Sequence, residues 1–396
     1  MDVVLVNGRV MTDDGLREGL AVRLRGDCIM AVGPADDLAP AARVRDLGGA
    51  LLLPGFIDIQ VNGGGGVLFN DAPTAQTIAR IGATHRRFGA TGFLPTLISD
   101  DLATVEAAIE ATRQAIAEGV PGVLGLHIEG PFLNPRRKGI HDASKLRQID
   151  EAAFRLLTSL ASGRTLVTLA PETTSTEMIE RLAKAGVIVS AGHTNASYAV
   201  VRDALNHGLT GFTHLFNAMS PLTSREPGVV GAALEDIESW CSLIVDGKHV
   251  DPVVLKIALR CKPLNRFILA TDAMPSVGAA QKSFHLQGRL ITVEGGVCVD
   301  EHGTLAGSDL DMAGAVRNAV NMLGLDLNTA SRMASRNPAE FLGLGELMGR
   351  IAPGLRANLV LLDDELSVLD TWIGGRSLAE TDAAGLPPAR SAGQGG

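Results

Sequence analysis

The sequence predicts an α/β fold: a (β/α)8 TIM-like barrel with a small β-sandwich built from both chain ends. Three observations carry this. Eight short apolar runs lie between residues 56 and 273, segments of helical period separate most of them, and both chain ends read as β structure. Near-continuous apolar runs are the mark of strands buried on both faces, as parallel barrel strands are. An open doubly wound sheet is the alternative. The count of eight and the missing GxGxxG phosphate fingerprint favour the barrel.

The elements follow in order. Over residues 2–53 the runs VVLVNGRVM, LAVRLRG and CIMAVG are broken by Asn-Gly, Arg-Gly-Asp and Gly-Pro, which are turn signals. The barrel runs are FIDIQVN (56–62), GFLPTLI (92–98), GVLGLHIEG (122–130), TLVTLAPE (165–172), VIVSAGHT (187–194), GFTHLFN (211–217), CSLIVDG (241–247) and FILATDA (267–273). Between them Ile78, Ile81, His85 and Phe88 share a helical face, as do Leu102, Val105, Ile109 and Ile116. Asp100 or Asp101 caps the second of these helices and Gly119 stops it. TEMIERLAKAG (176–186) and YAVVRDALNHG (198–208) also end in glycine. The Gly-rich stretch QGRLITVEGGVCVDEHG, within 276–305, reads as a hairpin insertion. GRIAPGLRANLVLLDDELSVLDTWIGGR (349–376) returns to β character. The expected organisation is a sandwich from 1–53 plus 349–378, a barrel over 54–348, and a disordered Gly/Pro/Ala-rich tail over 379–396.

Bulk composition removes several function classes. The chain of 396 residues carries a formal net charge of −9 and no Lys/Arg-rich run, which argues against a nucleic-acid partner. Cys28, Cys241, Cys261 and Cys298 are scattered with no CxxC, so neither a zinc knuckle nor a disulfide framework is expected. The opening MDVVLVNGRV has no basic n-region with a cleavage site, and no apolar run approaches a membrane span. The expectation is a cytoplasmic protein with no membrane partner.

Polar residues fall where the apolar runs stop, and in a barrel the strand ends carry the chemistry. The third run ends with His127 and Glu129, the fifth with His193, and the sixth with His214. The seventh ends at Asp246 and His249, and the eighth at Asp272. A single histidine at a strand end is more often a hydrogen-bonded structural group than a ligand. Glu129 alone could cap a loop, Asp272 could be a turn residue, and Glu172 at the fourth strand end reads as structural. Taken together they point elsewhere. Two histidines and a carboxylate converging on one barrel mouth match catalytic zinc ligation with a position left open for water, and Asp272 beside them could serve as base.

The blocks LLLPGFIDIQVNGGGG, GLHIEGPFLNPRRKGIH, TLAPE, SAGHTNAS, THLFNAM, REPGVVGA, DGKHVD and ATDAM carry a family resemblance. Over about residues 2–376 the chain resembles the N-acetylglucosamine-6-phosphate deacetylase family of the amidohydrolase superfamily. The resemblance implies metal ligands at Glu129, His193 and His214, a catalytic acid/base at Asp272, and a carbonyl-polarising His141. It implies substrate contacts at Ile140, His141, Asn217, Ala218, Arg225, Asp246, His249, Leu305, Ala306 and Gly307. It also implies a homodimer in which a neighbouring subunit supplies part of the phosphate site. Many amidohydrolases hold a second metal with a His-x-His pair at the end of strand one. Here the equivalent positions are Gln60 and Asn62, whose carboxamide oxygens are weaker ligands than imidazole, so a single metal is expected with the two amides supporting its ligands.

The implied reaction is metal-dependent hydrolysis of N-acetyl-D-glucosamine 6-phosphate, in amino-sugar catabolism or cell-wall recycling. One divalent ion per chain is expected: zinc, with iron, cobalt or manganese as alternatives. Arg225 and His249 would bind the phosphate. Two other readings stay open. One is deacetylation of the N-acetylgalactosamine 6-phosphate epimer, and the other is an amidohydrolase-like binding protein without catalysis.

Overall fold

The structure, a computed structural model, describes residues 2–38 and 43–383. Both chain ends build the sandwich. Asp2–Val6, Leu20–Arg25, Cys28–Pro34 and Arg43–Asp46 form a four-stranded sheet. Arg9–Thr12, Gly15–Arg17 and Leu51–Pro54 join Leu359–Leu362, Val368–Ile373 and Arg376–Ser377 in a six-stranded one. Val3, Leu5, Val22, Leu24 and Ile29 of the first sheet share one core with Val10, Leu52, Leu359, Leu361 and Trp372 of the second. The chain then turns into a short helix, Leu378–Ala383. Asp370 accepts hydrogen bonds from the Leu378 and Ala379 amides, and Ser377 Oγ from that of Glu380. These acceptors satisfy the first free N–H groups of the helix. Order thus extends five residues into the tail expected to be disordered from 379, and 384–396 lie outside the described residues.

The barrel strands are β1 (Phe56–Val61), β2 (Ala90–Ile98), β3 (Gly125–Glu129), β4 (Arg164–Leu169), β5 (Ile188–Ala191), β6 (Leu209–Phe212), β7 (Trp240–Leu243) and β8 (Phe267–Leu269). Each pairs parallel with the next in chain order. Closure comes just past β1 and β8. Asn62 and Gly63 both donate their amides to Ala273 O, at 2.9 and 3.0 Å. Asp58 reinforces this seam, because its carboxylate accepts from the Gln60 amide, the Thr271 amide and Thr271 Oγ1. Helices capped by Thr74, Ser175 and Ser197 side chains lie between strands. Residues toward the strand starts, Ile57, Ile59, Leu94, Leu166 and Ile268, pack with Phe341 into an apolar floor. Among the described residues no helix is long and apolar enough to cross a membrane.

The structure departs from two further expectations. The 276–305 insertion is not one hairpin but part of a four-stranded antiparallel meander, Ser283–Leu286, Arg289–Glu294, Val297–Val299 and Leu305–Ser308. Gln287-Gly288 and Gly295-Gly296 both have positive φ at two successive residues, the signature of two-residue type I′ hairpin turns. The segment therefore folds back three times instead of once, the third time through residues 300–304, and the fourth strand returns to the barrel. The apolar runs also overshoot the strands. β5, β6 and β8 stop two or three residues short of His193, His214 and Asp272, where the backbone becomes left-handed at φ 48°, 38° and 54°. Such conformations are costly for residues with a Cβ and concentrate at functional sites.

Candidate active site

The barrel mouth is built around three buried side chains, Glu129 at the end of β3 and His193 and His214 just past β5 and β6. His214 Nε2 lies 2.9 Å from Glu129 Oε1 and 3.1 Å from His193 Nε2, and His193 Nε2 is 3.3 Å from Glu129 Oε1. Ligands about 2.0–2.1 Å from one tetrahedral cation are separated by roughly 3.3 Å, so this triangle has the size of one face of such a coordination shell. The tautomer of His193 agrees. Its Nδ1 lies 2.9 Å from the carbonyl oxygen of Arg137 and donates to it, which leaves the Nε2 lone pair for a ligand. Burial alone would raise the Glu129 carboxyl, but hydrogen bonds and charge from His193 and His214 hold it well below the usual range. Burial works against the His214 imidazolium, yet Glu129 raises its pKa on balance. The donor set and its convergence fit a divalent cation of the zinc class.

Asp272 sits beside this triangle. Its Oδ1 accepts from Asn62 Nδ2 at 2.6 Å and from Gln60 Nε2 at 3.1 Å, and the same Gln60 nitrogen donates to Glu129 Oε1 at 3.1 Å. This geometry accounts for two neutral amides at the end of β1. They place N–H donors against buried Glu129 and half-buried Asp272 without adding charge, while Gln60 Oε1 and Asn62 Oδ1 have no hydrogen-bond partner among the described residues. Burial raises the Asp272 carboxyl and the Glu129 charge raises it further, opposed by His214, His249 and the Asn62 bond. At the seam, burial pushes Asp58 up to about 7 against its hydrogen bonds to Thr271 and Gln60.

These groups open onto a cavity of about 370 Å³, within the size range of small-molecule sites. Asn62, Ile140, His141, Asn217, Ala218, His249 and the Leu305–Gly307 strand line it as well. Gly307 has φ 75°, and a Cβ there would lie 2.5 Å from the Met274 side chain, so only glycine fits. The His141 ring stands 4.4 Å from that of His193, and burial pushes its pKa down to about 3, which keeps it neutral. His249 Nδ1 bonds Asp246 Oδ2 at 2.6 Å, so Asp246 stands behind the cavity and orients the histidine that lines it. Gln60 likewise lies behind the wall.

Other residues fall differently. Arg225 is exposed, does not line the cavity, and pairs with no other described side chain. His127 is buried against Thr168 Oγ1 at 2.8 Å and stays off the cavity wall. Glu172 ties two loops together by accepting from Asn134 Nδ2, Thr194 Oγ1 and the Asn195 amide. Arg136 and Arg137 do line the cavity, although sequence reasoning did not single them out. Their signal is the Arg136-Arg137-Lys138 triplet in NPRRKGIH, too short for a basic run but just ahead of His141.

Comparison with known proteins identifies the family of the chain. Residues 51–378 match the amidohydrolase family model. The chain is 43% identical over 379 residues to an N-acetylgalactosamine-6-phosphate deacetylase of Shewanella sp. (strain ANA-3), covering 95% of this chain and 96% of that protein. It superposes on the crystal structure of N-acetylglucosamine-6-phosphate deacetylase from Pasteurella multocida with a TM-score of 0.92 and 35% identity, covering 95% and 99% of the two chains. A Mycobacterium smegmatis N-acetyl-D-glucosamine-6-phosphate deacetylase, solved in complex with N-acetyl-D-glucosamine-6-phosphate, matches at TM-score 0.88 and 34% identity over 95% and 99%. The chain belongs to the amidohydrolase family.

Proposed function

We propose that the chain hydrolyses N-acetyl-D-glucosamine 6-phosphate to D-glucosamine 6-phosphate and acetate. The observation that carries this reading is the joining of Glu129, His193 and His214 to Asp272 through Gln60 at the mouth of one cavity. Relatives named for this chemistry, at 34–35% identity over 95% of the chain, support it.

Glu129, His193 and His214 would hold one divalent cation, zinc by the donor set. When bound, such a cation supplies Lewis acidity and lowers the pKa of a water toward about 7. Asp272 takes the proton of the attacking water and returns it to the leaving nitrogen, and its raised carboxyl suits both steps. Asn62 and Gln60 hold that carboxylate still. His141 donates a hydrogen bond to the acetyl oxygen as charge develops there, an effect commonly worth about 3 kcal/mol. Asn217, Ala218, Ile140 and the 305–307 backbone bound the sugar.

The 6-phosphate is held by His249 of this chain and Arg225 of a second copy. Two features support a homodimer. Arg225 is free of this chain's cavity, and the helix Pro252–Cys261 exposes Val253 (62%), Val254 (38%) and Ile257 (54%) on its outer side. Exposed apolar side chains grouped on one helix mark an interface. A cytoplasmic location belongs to the same reading, since all four cysteines are free.

One observation favours a second substrate. The Shewanella relative, at 43% identity, is named for the galactosamine epimer. Acetate release from the two epimers and from unphosphorylated N-acetylglucosamine, with metal counted on the same sample, tests both readings. We expect turnover of the gluco phosphate with about one metal per chain. Preference for the galacto phosphate would move the assignment to the epimer. Equal turnover without phosphate would remove Arg225 and His249 from their role. Bound metal with no turnover of any of the three would overturn the deacetylase reading.

A further inference from the structure

His141 must donate a hydrogen bond in the reaction proposed above, and a neutral imidazole donates from only one nitrogen. The structure selects which. The Ser99 backbone amide points at His141 Nδ1 at 3.3 Å, and Ser99 Oγ lies 2.7 Å from the same atom. A backbone N–H can only donate, so Nδ1 faces it with a lone pair and the proton sits on Nε2.

Ser99 is itself held from the far side. Gln287, at the tip of the first meander turn, donates Nε2 to the Ser99 carbonyl at 2.8 Å and accepts the Asp142 amide on Oε1 at 2.9 Å. It bridges the end of β2 and the loop after β3 in a left-handed conformation, φ 50°. Each polar member is preceded by an apolar neighbour, and these neighbours pack together: Leu286, Ile98 and Ile140 belong to one buried cluster. Three chain segments thus meet twice, once through side-chain packing and once through hydrogen bonds.

We propose that Ser99 and Gln287 are positioning residues that fix His141 in the Nε2–H tautomer, and that the meander tip thereby controls how well the barrel mouth works. The proposal deepens the deacetylase reading and rests on it for the role of His141. Gln287 is suited to the task because a carboxamide offers a donor and an acceptor at once, one for each segment.

The test has an arm that needs no substrate. Nitrogen chemical shifts of labelled histidine, with the His141 signals assigned by their loss in His141→Asn, report which ring nitrogen carries the proton. In the wild-type holoenzyme we expect the proton on Nε2. In Gln287→Ala we expect an admixture of the Nδ1–H form, a roughly tenfold lower kcat, KM within about twofold, and unchanged metal content. Gln287→Glu keeps the acceptor for Asp142 but has no donor for Ser99, so it should not rescue. A proton on Nδ1 in the wild type overturns the proposal. So does a Gln287→Ala enzyme with unaltered kcat and shifts, or full activity in Gln287→Glu beside an impaired Gln287→Ala. If the chain released no acetate from any substrate, the deacetylase reading would fail while the tautomer measurement still decided the status of Ser99 and Gln287.

Discussion

The two ends of the barrel are built by opposite rules. At the floor, Ile57, Ile59, Leu94, Leu166, Ile268 and Phe341 fill space with apolar side chains. At the mouth, two carboxylates and three histidines crowd together, each at most 7% exposed apart from Asp272. Of the eight described non-glycine residues with positive φ, five (His193, His214, Phe216, Ala218 and Asp272) stand there. The floor lowers the free energy of the fold. The mouth raises it, through buried charge and strained backbone, and the floor's packing is what allows the mouth to persist.

The sharpest way to break this comparison is at the ligand triangle. Glu129→Gln or His214→Ala should abolish metal binding and lower turnover by more than about 10³-fold. Metal analysis beside steady-state kinetics checks it, and retained metal with full turnover would mean the mouth holds no cation. Next comes Asp272→Asn, which should keep the metal and lose about 10²- to 10⁴-fold in turnover. An Asp272→Asn enzyme of normal activity would leave this carboxylate without a catalytic purpose. At the floor, Phe341→Ala should cost about 3–5 kcal/mol of stability by denaturant unfolding. Turnover per folded molecule should stay near wild type, and a matching fall in kcat would show that the two ends are not separable. The smallest effect is expected at Ala218. Ala218→Gly relieves a left-handed residue and should raise stability by up to about 1 kcal/mol while raising KM. Lower stability there would mean that φ 50° costs the fold nothing.

Legibility in the sequence followed range of interaction. The barrel strands could be read because a strand buried on both faces needs only its own apolar run. Glu129, His193, His214 and Asp272 could be noticed because each lies at or just past such a run. Their backbone could not be read, since left-handed turns at His193 and Asp272 are imposed by neighbours rather than by residue type. Gln60 and Asn62 were recognisable as amides, but that Gln60 bridges two carboxylates depends on residues 69 and 212 positions away. Ser99 and Gln287, separated by 188 positions, gave no signal at all. The second meander turn, Gly295-Gly296, does carry a local signal, since a Gly-Gly pair suits two successive positive φ values. Only the resemblance points to Arg225, and this chain by itself leaves it outside the cavity.

The six-stranded sheet of the sandwich has a consequence for synthesis. Leu51–Pro54, four buried residues, hydrogen-bonds along one side to Leu359–Leu362. On a ribosome adding about 5–20 residues per second, the first of these strands waits roughly 15–60 s for the second. During that interval an apolar strand edge has no partner within its own chain, and an unpaired edge is a template for pairing with another nascent chain. Messages truncated before codon 359 would release proteins carrying that edge permanently, so they are expected to yield aggregates rather than a functioning barrel.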